Sequence, residues 1–196
     1  KKMKTLKYTL LLILTWTLLC ASGFAQEAEK KSGEEKEPFH PHHVISIALS
    51  HANVFSGVDE SGHNKTLSLP AWGIDYTYQF RPKWAIGLHT DLIVEKFEVK
   101  TDLASEEGVI ERSYPIAPAL MGIFKPTDHW SFLFGAGVEF EKEENFFLTR
   151  AGIEYSGELP KEWEVFGSLS YDFKWNAYDT WVIGIGIGKA FGHKRK

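Results

Sequence analysis

Cysteine is almost missing from this chain: Cys20 is the only one in 196 residues. A single thiol cannot close an intramolecular disulfide, so no covalent staple holds this fold. A basic excess is missing too, with 22 Lys and Arg against 26 Asp and Glu, and nothing recommends nucleic acid as a partner. Helical stripes are the third absence. Outside the first 25 residues no run of ten or more places apolar residues at the three- and four-residue spacing of a helix face.

One long apolar run is present, from about Tyr8 to Leu19, and it is too short for a standard transmembrane helix. Lysines at 1, 2, 4 and 7 precede it, and the small residues Gly23 and Ala25 follow it ahead of Gln26. That layout predicts a secretory signal over residues 1–25, cleaved on export. Leu19 stands before Cys20 where a lipidation signal wants a small residue, so a lipid anchor is not expected. Cleavage removes four lysines and no acid, leaving 18 basic against 26 acidic residues, a net charge of −8. Residues 26–42, beginning "QEAEKKSGEEKEPFHP", are charged and aperiodic and read as a flexible leader.

From His43 onward the pattern is alternation. Apolar residues recur at every second position in eight runs: 43–54, 66–80, 84–99, 112–124, 129–141, 145–156, 162–175 and 179–191. Strand is the regular structure with a period of two. The connections after the second, fourth and sixth runs are short and carry Pro82, Pro126 and Pro160; those after the first and third are longer and polar. Such a chain predicts an antiparallel up-and-down meander over residues 43–191, followed by a basic tail, 192–196.

Parity separates two faces. One holds Ile45, Ile47, Leu49, Trp72, Ile74, Ile86, Leu88, Phe132, Phe134, Val165 and Leu169, and closes with Trp181, Ile183, Ile185, Ile187 and Phe191. The other is glycine, hydroxyl or charge: Ser50, Asp75, His89, Asp91, Glu139, Arg150, Glu154, Asp172 and Lys174. A soluble barrel would turn the large apolar face inward. Eight strands cannot hold that many aromatic side chains in their lumen. Trp and Tyr also concentrate at run ends, as in the two aromatic girdles of a membrane barrel. The reading is therefore an eight-stranded transmembrane β-barrel with its apolar face to the lipid bilayer.

These features resemble the small eight-stranded outer-membrane β-barrels of Gram-negative bacteria, the porin-like OmpA/OmpX/OmpW-type group. The resemblance rests on the strand count, the alternation of short turns with longer loops, and the last run, "WVIGIGIGKAF". That run is similar to the family's C-terminal assembly signal and assigns that role to Trp181, Ile183, Ile185, Ile187 and Phe191. Membership would imply insertion by the barrel-assembly machinery, with the short turns in the periplasm.

Chemistry is sparse. Asp75, His89, Asp91, Glu139, Arg150, Glu154, Asp172 and Lys174 form a candidate lumen network, either lining a path for small polar solutes or cations or pairing to plug the lumen; for eight strands the plug is favoured. Gly184, Gly186 and Gly188 would leave one wall shallow, with room for Arg150, Glu139, Glu154 and His89. His40, His42 and His43 are weak metal candidates, because no carboxylate or cysteine stands at a ligand spacing. No cofactor is expected. Ser50 and His51 are adjacent, so a strand would point them to opposite faces, and no catalytic constellation emerges. The expected function is a structural or porin-like barrel without enzymatic activity. The alternatives are a loop-mediated binding or adhesion barrel and a lipid-modifying enzyme.

Overall fold

The computed structural model describes residues 39–58, 63–100 and 109–192. The signal, residues 26–38 of the leader and tail residues 193–196 lie outside the described residues.

Alternating apolar and polar residues, many of them β-branched or aromatic, favour extended backbone. Ten strand segments result: β1 (His42–Val58), β2 (Asn64–Arg81), β3 (Trp84–Ile93), β4 (Lys96–Lys100), β5 (Val109–Ser113), β6 (Ile116–Phe124), β7 (Trp130–Glu139), β8 (Phe146–Leu159), β9 (Trp163–Lys174) and β10 (Thr180–Phe191). Around the ring they pair in the order β10-β9-β8-β7-β6-β3-β2-β1, and β10 pairs back onto β1. Every pairing is antiparallel. The result is a closed eight-walled barrel in which β4 and β5 extend the third and fourth walls as a hairpin.

The register fixes the barrel's size. Following paired residues around the ring from Val44 leads through Thr77, Gly87, Met121, Gly135, Arg150, Asp172 and Thr180 back to β1 at Val54, ten residues along from the start. With about 3.3 Å rise per residue and about 4.8 Å between strands, a shear of ten over eight strands gives a tilt of about 41° and a backbone radius of about 8 Å. Little room remains inside once side chains are added.

The outward face is the apolar one. Leu120, Phe134 and Ile185 are 60%, 66% and 70% exposed at mid-wall. Trp84, Trp130, Tyr155 and Trp163 ring the end that carries the short turns, and Trp72, Trp175 and Trp181 the end that carries the loops. A continuous apolar band with aromatic rims is a surface for hydrocarbon between two headgroup layers. Closure pairs the backbone groups that such a solvent cannot satisfy.

Two walls depart from the sequence expectation. The runs 84–99 and 112–124 are each broken, at Val94–Glu95 and at Tyr114–Pro115. Pro115 has no N–H to give the ladder, and Tyr114 takes a φ of 51° to pass the break. The backbone is still satisfied there: Ile93 N donates to Pro115 O at 3.2 Å, and Val94 N to Pro70 O at 3.1 Å. The stretches read as polar loops after the first and third runs are also partly strand, since β1 reaches Val58 and β4–β5 is a paired hairpin.

Placing a charge on the outer band tests this orientation. Ile185→Arg is expected to lower unfolding free energy in lipid vesicles by about 2–4 kcal/mol, and Leu159→Arg, at the turn-end rim, by only about 0–1 kcal/mol. Denaturant titration of the refolded barrel measures both; equal costs would contradict the assigned depths.

Candidate functional site

Closure sends even-numbered side chains of β1, β8, β9 and β10, and odd-numbered ones of β2, β3, β6 and β7, into the lumen. Its shallowest wall is β10. A Cβ on Gly186 would lie 2.4 Å from Phe166 Cζ and 2.6 Å from Ile47 O, and one on Gly188 would lie 2.6 Å from Glu164 Oε1. The space above these glycines is thus taken by Phe166 and Glu164 of the adjacent strand β9. That corrects the expectation that Arg150, Glu139, Glu154 and His89 would use it.

The charges fall into two groups. In mid-barrel, Arg150 donates through Nε and Nη2 to the two carboxylate oxygens of Asp172, at 2.6 and 2.7 Å. Its Nη2 also lies 2.7 Å from Asp91 Oδ2. One buried guanidinium therefore serves two carboxylates, the forked geometry that makes such pairs strong. Asp75 Oδ1 accepts from Thr90 N at 3.2 Å and lies 3.7 Å from His89 Nδ1. The other ring nitrogen of His89 is 3.3 Å from Thr77 Oγ1.

The second group closes the loop end. Glu139, 1% exposed, receives Arg112 Nη2 at 2.6 Å, the Tyr178 hydroxyl at 2.5 Å and Lys174 Nζ at 3.4 Å. Arg112, itself fully buried, reaches further to Glu144 O at 2.6 Å and Glu141 Oε2 at 3.5 Å. Lys174 donates to Thr180 Oγ1 at 2.6 Å and sits 4.3 Å above the Tyr178 ring. Burial first, and then the charge of Glu139, hold the Tyr178 phenol well above its ordinary pKa, so it stays a donor.

Apolar packing fills what the charges leave. Phe97, Phe146 and Tyr178 meet edge to face inside a cluster with Val54, Leu69, Ile93, Val99 and Val182. A second cluster joins Ala85, Ala117, Ala119, Met121, Ile123 and Leu148. Between them a cavity of about 50 Å³ is bordered by Asp75, His89, Asp91, Arg150, Glu154 and Ser50. That volume suits a few waters, and the buried Ser50 hydroxyl, which has no hydrogen-bond partner among the described residues, faces it.

Of the eight lumen residues named from sequence, the structure thus brings Asp75, His89, Asp91, Arg150 and Asp172 together, and Glu139 with Lys174. Glu154 lines the cavity and makes no hydrogen bond or ion pair among the described residues. Arg112 and Tyr178 were not foreseen. Simple alternation from Tyr114 and Ile116 would send Arg112 outward, but the break at Tyr114–Pro115 reverses the parity of β5. Tyr178 lies in a connection, where alternation says nothing.

Trp181, Ile183, Ile185, Ile187 and Phe191 all stand on the outer face. Phe191 pairs with His43 across the closing seam, and the His43 ring stacks on Phe191 and Tyr78, with Nδ1 2.7 Å from the Tyr76 hydroxyl. His42 Nδ1 lies 3.1 Å from His40 O. Among the described residues no group of three or more His, Cys, Asp or Glu could hold a metal ion.

No family model and no curated protein matches the chain. Solved structures do. The crystal structure of Ail, the attachment invasion locus protein of Yersinia pestis, matches with a TM-score of 0.50 at 15% identity, over 78% of this chain and all of that one. The fold is that of the small outer-membrane barrels. The outer membrane protein OprG of Pseudomonas aeruginosa is similar at a TM-score of 0.49 and 14% identity, over 78% of this chain and 96% of its own. At 15% identity the Ail match speaks for the fold and nothing finer.

The Arg150 cluster is testable by a mutant cycle. Arg150→Met strands two buried carboxylates and is expected to cost about 3–5 kcal/mol. Adding Asp91→Asn and Asp172→Asn should recover most of that loss. Additive losses in equilibrium unfolding would show that the three do not act as a unit.

Proposed function

We propose that the chain is an outer-membrane barrel with a structural, non-conducting role, its lumen plugged by paired charges and its short turns in the periplasm. The observation that carries this reading is the loop-end closure, where Arg112, Glu139 and Tyr178 are each at most 1% exposed and bonded to one another. A path for a small polar solute would have to displace these groups and then pass Arg150, which is held by Asp172 and Asp91. The 50 Å³ cavity beside Arg150 supports the same reading, since it has room for only a few waters and no residue of the loop-end group lines it.

The reading is non-enzymatic. Ser50 is buried in the lumen while His51, its neighbour in sequence, is exposed on the outer face. A nucleophile and its base must share a hydrogen bond, which opposite faces of a strand forbid. The lumen histidine, His89, is placed with Thr77 and Asp75.

Planar-bilayer recording tests the plug. The unaltered protein is expected to show no conductance above background, and the double variant Arg112→Ser, Glu139→Ser to show openings that favour cations, because the remaining lumen charge is mostly acidic. Steady conductance by the unaltered protein would replace the structural role with the porin-like one.

A further inference from the structure

The outer face at the loop end is not flat. The breaks at Val94–Glu95 and Tyr114–Pro115 lie on neighbouring walls, and beyond them the β4–β5 hairpin leaves the β7–β8 connection across a groove of about 530 Å³. Tyr114, Ile116 and Phe140 line it, 54%, 44% and 50% exposed. Ile116 and Phe140 form the last rung there, bonded to each other at 3.1 and 2.7 Å. Four residues below Ile116 on the same wall, Leu120 belongs to the apolar band, so the groove opens where hydrocarbon meets headgroups.

Its lining is amphipathic. Lys96 and Lys142 stand beside the apolar side chains, with Asn145 as a neutral donor. The Lys142 ammonium makes no hydrogen bond or ion pair among the described residues. Lys96 lies 3.3 Å from Glu111, but both side chains are half exposed or more, and a pair of that kind is worth little and is easily exchanged. Glu141 also lines the groove, yet its carboxylate is only 1% exposed and faces Arg112 at 3.5 Å. Glu143 and Glu144 follow it in the connection and do not line the groove. Glu111, half exposed, accepts from Ser113 at 3.0 Å as well as from Lys96, so with that pair counted the accessible charge is one positive, carried by Lys142.

A bilayer leaves no void of this size against a protein wall, because unmatched surface forfeits its dispersion contacts. The exposed Tyr114, Ile116 and Phe140 favour lipid over headgroup water as its filling, and the charge selects which lipid. We infer that this groove holds an anionic lipid of the outer leaflet, a hydrocarbon chain lying over Ile116 and Phe140 and the phosphate reached by Lys96 and Lys142. The inference rests on the membrane reading above, and it adds a headgroup preference that the barrel fold does not require.

The test uses the full chain refolded into phosphatidylcholine vesicles with a trace of spin-labelled phosphatidylglycerol or spin-labelled phosphatidylcholine, the immobilised fraction giving a relative association constant. Near a surface each lysine contributes roughly fivefold to the binding of an anionic lipid. The unaltered barrel should prefer phosphatidylglycerol, and the double variant Lys96→Ala, Lys142→Ala should lose on the order of tenfold of that preference. Lys83→Ala, at the turn end, should lose none. Lys142→Gln is the milder variant and should show a partial loss. Heat-shifted gel mobility scores assembly in each sample. An unaltered chain that fails to assemble overturns the membrane reading itself; an assembled barrel that retains both lipids equally, or keeps its preference in the double variant, overturns the groove assignment alone. Inorganic phosphate that abolishes the preference as readily as added lipid would show an anion site without lipid recognition and would overturn it as well.

Discussion

Closure of β10 onto β1 is the constraint from which the rest follows. In hydrocarbon each unpaired backbone N–H or C=O costs several kcal/mol, so a sheet can cross a bilayer only if it has no edge. Twelve consecutive residue pairs, from His43 with Phe191 to Val54 with Thr180, remove that edge. Closing eight walls with a shear of ten then sets a narrow radius. A narrow lumen lined on alternate positions cannot hold bulk water, so any charge inside it is desolvated and must find a partner. The ion pairs of Arg150 and Glu139 are in this sense consequences of ring closure.

The barrel's outer face was legible because lipid imposes one simple rule on alternate residues. Ile45, Ile47 and Leu49 on β1, or Ile183, Ile185 and Ile187 on β10, carry the pattern without interruption. The lumen was less legible because it obeys a packing rule instead, in which a residue's neighbours decide what fits. Phe97, Val99 and Phe146 are apolar on the inward parity and build a cluster there, although most of that parity reads as polar. The ring of Phe166 fits only because Gly186 faces it. Local alternation reports which face a side chain takes and cannot report what stands across the lumen.

The largest departure has a single local cause. Alternation is a phase, and Tyr114 with its φ of 51° resets it. Every residue of β5 changes face relative to the phase of β6, and a one-residue slip exchanges lipid and lumen for the whole segment. Arg112 enters the lumen by this route and becomes the cation on which the loop-end plug is built. The same break borders the outer groove, since Tyr114 at the break and Ile116 just beyond it both line that groove. Pro115 follows Tyr114 directly and marks the place in sequence, yet a proline signals that a ladder is interrupted and not which way the chain continues.

Charged rather than apolar filling of the lumen has a structural logic apart from stability. Replacing buried ion pairs by packed hydrophobic residues is often neutral or stabilising in itself. In this barrel such a replacement would erase the difference between the two faces, since the outer one is already apolar, and a strand slipped by one residue would then meet both solvents equally well. Arg150 with Asp172 and Asp91, and Glu139 with Arg112 and Lys174, make that slip costly by placing bare charge in hydrocarbon. Because these partners come from β3, β5, β7, β8 and β9, the pairing ties the registers of five segments to one another. The lumen charges thus have a structural use whatever passes through the barrel, because they decide which side of each strand is inside.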